Sequence, residues 1–123
     1  MPPAKVLLVE DDPVILRLLE VNFDLEGFET VLARDGAEGI ELARSERPDI
    51  VISDIMMPNV SGLELVTALK GDPDTAAIPI ILLSAKAQSG DLKAGMEVGA
   101  DDYVTKPFEP LDLVDRVRAL IER

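Results

Sequence analysis

The sequence predicts an α/β fold: a doubly wound (βα)5 domain with a five-stranded parallel sheet and helices on both faces. Three observations carry this. Short apolar runs alternate five times with amphipathic stretches of helical length, the pattern of parallel strands joined by right-handed helical crossovers. The third and fourth runs, Asp49 to Ser53 (DIVIS) and Pro79 to Leu83 (PIILL), are almost continuously apolar, as strands covered on both sides must be. Five such units in 123 residues are too few for a closed barrel, and no linker, repeat or low-complexity tract divides them. Residues 1–123 therefore read as a single domain.

Each element has a local reason. Lys5 to Val9 (KVLLV) is an apolar run that ends in three acids, Glu10, Asp11 and Asp12. Asp12 is placed to cap a helix whose first turn takes Pro13. Ile15, Leu18, Leu19 and Phe23 then recur at helical spacing, and Gly27 supplies the left-handed stop. Glu29 to Ala33 reads as the second strand, and Asp35-Gly36 opens a helix that ends before Pro48. The third strand ends at Asp54, and a loop with Pro58 and Gly62 leads to a helix over Leu63 to Lys70. The fourth strand ends at Ser84. A helix around Asp91 to Val98 is weakened by Gly90, Gly95 and Gly99, and Asp102 to Thr105 forms a short fifth strand. Leu113, Val114, Val117, Leu120 and Ile121 mark the core side of the last helix.

Composition excludes several chemistries. With no Cys there is no disulfide framework and no thiolate ligand, and with no His there is no Ser-His-Asp triad or histidine-bound zinc. Twelve basic against 24 acidic residues leave a net charge of −12, which repels phosphate backbones and anionic membranes. Neither nucleic acid nor membrane is therefore expected as a direct partner. No basic segment precedes an apolar leader, and no apolar run approaches a membrane span. A soluble, cytoplasmic domain is expected. Apolar residues make up 47% of the chain and aromatics 3%, so the core is built from Val, Leu, Ile and Ala.

In open α/β sheets the ligand site lies beyond the carboxyl ends of the strands. The polar residues there are Glu10 and Asp11 after the first strand, Asp54 after the third, Ser84 after the fourth and Lys106 after the fifth. Carboxylates within about 4 Å repel by roughly 4 kcal/mol per pair at an effective dielectric near 20, and a single lysine does not neutralise three. Oxygen donors without nitrogen or sulfur suit a hard divalent ion, Mg²⁺ or Mn²⁺ rather than Zn²⁺. A metal, a lysine, a hydroxyl and a lone carboxylate compose a phosphoryl-transfer site with the carboxylate as nucleophile.

The segments VEDDP, DIMMP, LLSA and YVTKPF, in this order along the chain, resemble the receiver domain of bacterial two-component response regulators. Asp11 and Asp54 stand 43 residues apart, Ser84 follows 30 later and Lys106 a further 22. The resemblance implies the flavodoxin-like strand order 2-1-3-4-5. It further implies that Asp54 accepts a phosphoryl group from the phosphohistidine of a sensor histidine kinase or phosphotransfer protein. Glu10, Asp11 and Asp54, with the backbone carbonyl of Met56, would hold Mg²⁺. Ser84 and Lys106 would bind the phosphoryl group, and Ser84 with Tyr103 would form the switch. It also implies a cis bond before Pro107, and Met56 and Lys86 as flanking residues that tune the phosphoryl lifetime. Met57 reads as apolar filler, and Pro58 and Gly62 as shaping the loop.

The face made by the fourth helix, fifth strand and fifth helix would engage an output partner or domain. In receivers joined to winged-helix domains this face also dimerises on phosphorylation, and Asp102 with Arg116 match part of that pattern. Self-phosphorylation and self-dephosphorylation are expected, without turnover of an outside substrate. An aspartate-nucleophile phosphatase would need a second Asp at position 56, where this chain has Met. A flavin carrier would need a phosphate-cradling loop where EDDP stands. A stand-alone regulator and the first domain of a larger protein both remain open readings.

Overall fold

The computed structural model describes residues 3–85 and 89–122. Lys86 lies outside the described residues. Along the chain run β1 (Lys5–Val9), α1 (Pro13–Leu25), β2 (Glu29–Ala33), α2 (Gly36–Glu46), β3 (Ile50–Asp54), α3 (Gly62–Lys70), β4 (Ile80–Ala85), α4 (Ser89–Glu97), β5 (Asp102–Lys106) and α5 (Pro110–Glu122). The strands pair in parallel in the order β2-β1-β3-β4-β5. The chain leaves β1 for the outer β2 and then crosses back to β3. Strand order therefore reverses between β1 and β3, whose carboxyl ends open on a common crevice.

Alternate strand residues feed two cores. Val6, Leu8, Ile50, Ile52, Ile81 and Leu83 pack with Leu16, Leu19 and Phe23 of α1 and Leu113, Val114 and Val117 of α5. Leu7, Val9, Val51, Ile80 and Leu82 pack on the other face with Ala43 of α2 and Leu65, Val66 and Leu69 of α3. Each fully buried Leu, Ile or Val contributes about 1.5–3 kcal/mol. The sheet is thus an apolar slab whose polar chemistry is confined to its edges.

Local signals act where the sequence places them. The Asp12 carboxylate accepts from Val14 N at 2.9 Å at the start of α1, and Gly27 takes φ +90° just beyond its end. Ser61 and Glu64 close a reciprocal capping box at the start of α3.

Several strand boundaries differ from those expected from the sequence. β3 begins at Ile50 rather than Asp49, because the Asp49 carboxylate turns back to accept from Lys5 N at 2.7 Å. At its other end the strand runs on through Asp54. β4 runs to Ala85, so Ser84 lies inside it, and Lys106 likewise closes β5. Leu18, grouped by spacing with the core residues of α1, is 45% exposed.

Gly95 also has a use beyond weakening α4. A Cβ there would stand 2.9 Å from Leu82 Cδ1 and 3.6 Å from Tyr103 Cδ2, so the missing side chain lets α4 lie close on β4 and β5.

Candidate functional site

The parallel register brings the strand ends to one edge. Val9 of β1 pairs with Ser53 of β3, and Asp54 pairs with Leu83 of β4. Ser84, one residue further on, faces Thr105, and Ala85 faces Lys106. Glu10 is held immediately after β1 by a bond from its N–H to Ala33 O at 3.1 Å. The chain leaves Asp54 with Ile55 N bonded to Leu83 O at 2.9 Å.

Gly62 then brings the loop back against the strand it left. A Cβ at that position would meet Asp54 O at 2.3 Å, so only glycine fits. From the sequence Gly62 is expected only to shape the loop. The close approach is to the backbone of Asp54 itself, a contact that spacing along the chain does not reveal.

Glu10, Asp11 and Asp54 each offer a carboxylate oxygen, and these oxygens lie within 4.8 Å of one another. Glu10 is 1% and Asp54 6% exposed, while Asp11 faces solvent. Lys106 Nζ lies 3.1 Å from Glu10 Oε2 and 3.3 Å from Asp54 Oδ2, bridging two of the three acids. Burial, aided by the charge of Asp54, pushes the Glu10 carboxyl up to about 7 against the pull of Lys106. Burial raises Asp54 as well; Lys106 opposes the rise and Asp11 adds to it. Desolvation acts to lower the Lys106 ammonium, but Asp54 and Glu10 outweigh it and its pKa is raised.

The cluster is therefore short of positive charge, and its donors are all oxygen. That donor set fits a hard divalent cation. Ser84 is fully buried on the strand beside Asp54.

The remaining expected residues fall around this centre. Met56 follows β3 with its side chain 67% exposed. Tyr103 is half-buried against the second core, on the side covered by α4. The Lys106–Pro107 peptide bond is cis. Asp102 and Arg116 meet within one chain, where Arg116 Nη1 reaches both Asp102 oxygens at 3.0 Å and its Nε donates to Asp112 at 3.0 Å. Beside the acids lies a cavity of about 350 Å³ lined by Pro13, Leu16, Arg17, Glu20, Leu32 and Arg34 as well as Glu10 and Asp11. Pro13, Leu16, Arg17 and Glu20 reach it along α1, which follows the acids directly, and Leu32 and Arg34 through the β1–β2 pairing.

A carboxylate trio bridged by one lysine at the switch point of such a sheet belongs to the class of phosphorylation-controlled signalling domains. The model of the response regulator receiver domain matches residues 6–118. The chain belongs to that family and is a phosphorylation-activated switch of the two-component type.

Among relatives, it is 40% identical over 119 residues to the DNA-binding response regulator MtrA of Mycolicibacterium smegmatis, covering 97% of this chain and 51% of that protein. It is 43% identical over 118 residues to the transcriptional regulatory protein CseB of Streptomyces coelicolor, covering 96% and 49%. The chain thus spans about half the length of these curated relatives. In structure it resembles the receiver domain of a sensor histidine kinase from Pseudomonas aeruginosa PAO1, which has a magnesium ion coordinated in its active site cleft. That match has a TM-score of 0.91 at 28% identity and covers 98% of this chain and 99% of the other. The chemotaxis protein CheY4 of Vibrio cholerae matches with a TM-score of 0.90 at 31% identity, over 96% and 98%.

These names correct one expectation. Net charge had argued against nucleic acid as a partner, yet relatives are named as DNA-binding regulators. The charge argument concerns these 123 residues, whereas the names describe proteins about twice as long.

Proposed function

We propose that Asp54 is the phosphoacceptor of this switch, charged by the phosphohistidine of a sensor histidine kinase or phosphotransfer protein. The observation that carries the reading is the convergence of three carboxylates within 4.8 Å around one lysine. Glu10, Asp11, Asp54 and the Met56 carbonyl would hold Mg²⁺ or Mn²⁺, which when bound supplies charge neutralisation at the transferring group. An Asp54 oxygen forms the new bond to phosphorus as the donor's P–N bond breaks, and the imidazole leaves. Lys106 passes from pairing Asp54 to pairing a phosphoryl oxygen. The Ser84 hydroxyl, on the adjacent strand, donates to another.

Ser84 moving toward the phosphoryl group leaves room for Tyr103 beneath α4, which alters the face formed by α4, β5 and α5. An output partner or domain reads that face. The relatives' names support DNA-directed output for the whole protein and a cytoplasmic setting. Phosphorylation-dependent pairing of copies through Asp102 and Arg116 would require exchange of the bonds these two make within the chain. Met56 stands where a phosphatase of the aspartate class has its acid, which supports an acceptor without outside turnover.

Intact mass after incubation with acetyl phosphate and Mg²⁺ tests this reading. One phosphoryl adduct is expected, lost in Asp54→Asn and in the presence of chelator. An adduct that persists in Asp54→Asn would overturn the assignment.

A further inference from the structure

Gly36 opens α2, although glycine is a poor helix former and Asp35 already caps the helix by accepting from Glu38 N at 2.8 Å. Its backbone does not call for glycine either, since among the described glycines φ is positive only at Gly27 and Gly99. What requires it is a neighbour. A Cβ at Gly36 would overlap Val60 O and stand 2.7 Å from Val60 Cγ1 and 2.9 Å from its Cβ. Val60 belongs to the loop that joins β3 to α3. The start of α2 is the floor on which that loop rests.

Floor and loop are both tied. Arg34 N donates to Glu38 Oε1 at 2.7 Å, and Glu38 N donates in turn to the Asp35 carboxylate, so the β2–α2 turn is bonded reciprocally. In the loop, Gly62 N donates to Ile55 O at 2.9 Å and closes the neck, while Val60 N donates to Pro58 O at 2.9 Å. Gly62 is itself pressed against Asp54 O. A push at Val60 is therefore taken up between Met56 and Val60, the stretch that carries the Met56 carbonyl. The same turn also holds the other half of the acidic centre. Ala33 O, three residues before Gly36, accepts from Glu10 N at 3.1 Å.

We propose that the β2–α2 turn is a bracket that sets the spacing between Glu10, Asp11 and the Met56 carbonyl. Gly36 is its positioning residue and makes the site selective for Mg²⁺. The ligand set itself rests on the function proposed above. Mg²⁺ needs a near-ideal octahedron with oxygens at about 2.0–2.1 Å, whereas Ca²⁺ accepts more ligands at about 2.3–2.6 Å in flexible geometry. A side chain at position 36 moves one wall of the site against the other. Ca²⁺ tolerates that change and Mg²⁺ does not.

NMR amide-shift titrations of the full chain, with Mg²⁺ alone and with Ca²⁺ alone, test the bracket. Shifts followed at Asp11 and Ile55 give both affinities at this site. Gly36→Ala should weaken Mg²⁺ binding about 10–100-fold, the usual loss when a group that orients a metal ligand is changed. Ca²⁺ binding should change far less, so the ratio of the two dissociation constants moves toward Ca²⁺. Lys70→Met loses bonds to Ala76 O, Ile78 O and Asp101 at the opposite edge and should keep the native ratio. Val60→Ala removes the Cγ contact without adding strain and should move the ratio in the same sense, by less. It decides the matter if Gly36→Ala does not fold.

A folded Gly36→Ala chain with the native ratio would overturn the bracket, as would Val60→Ala with that ratio where Gly36→Ala is unfolded. So would an equal change in Lys70→Met, which would trace the effect to stability rather than position. A native chain that binds neither ion at Asp11 and Ile55 would remove the ligand set and the bracket with it. Native binding with an unchanged ratio in the variants removes the bracket alone.

Discussion

Lys70 and Lys106 stand at opposite edges of one sheet and hold carboxylates at the same distance, but their surroundings differ in stoichiometry. At the amino edge Lys70 Nζ donates to Asp101 Oδ2 at 3.1 Å, Ile78 O at 2.9 Å and Ala76 O at 3.3 Å. One charge meets one charge, and the three ammonium protons have three acceptors. Asp101 accepts in addition from Ile80 N at 2.9 Å, so the group ties the end of α3 to the starts of β4 and β5. At the carboxyl edge Lys106 reaches Glu10 and Asp54 while Asp11 completes a trio of acids. The first arrangement is closed and serves as a brace. The second is left with excess negative charge, which a cation or a phosphoryl reaction can use.

Removing the lysines in turn gives the sharpest break between the two. Lys106→Met should slow labelling by acetyl phosphate about 10²–10³-fold, the usual loss when one electrostatic donor is removed from a reacting centre. Lys70→Met should leave the labelling rate within about threefold of native, since none of its partners belongs to the site. Time-resolved intact mass measures both. Equal losses in the two variants would show that fold integrity, not charge at the site, governs the reaction.

A smaller effect distinguishes the edges by pH. Glu10 has a folded-state pKa raised from 4.5 to about 7, so between those values the folded chain binds more protons than the unfolded one. Its contribution to stability is therefore present at low pH and lost as pH rises from about 4.5 to 7. In divalent-free buffer the loss should be on the order of 2–3 kcal/mol. Urea denaturation across that range should show the slope in the native chain and a flatter profile in Glu10→Gln. Added Mg²⁺ should restore stability at pH 8 more than at pH 5, because binding requires deprotonated ligands.

The brace at the other edge gives the smallest change. Lys70→Met takes one donor from the carbonyls of Ala76 and Ile78 and from the Asp101 carboxylate, which keeps its bond from Ile80 N, and should cost about 1–3 kcal/mol. The loss should appear in the urea midpoint and be insensitive to Mg²⁺. A magnesium-dependent loss would mean that the two edges are coupled through the sheet.

Much of this molecule is legible in its sequence because the relevant forces act between near neighbours along the chain. Apolar periodicity separates the strands from the helices, Asp12 and Gly27 mark the ends of α1, and the polar residue closing each apolar run marks the functional edge. The resemblance to receivers adds roles that no local pattern carries.

What only the tertiary structure decides concerns distances between segments far apart in sequence. Glu10 and Lys106 are separated by 96 positions, and the excess charge they share depends on strand order and register. Asp49 yields the start of β3 to Ile50 because Lys5 lies beside it. Gly62 must be glycine because Asp54 O stands where a side chain would begin. The periodicity of α1 does not say which of its apolar residues meet the sheet. Burial settles that on Leu16, Leu19 and Phe23, and leaves Leu18 facing water.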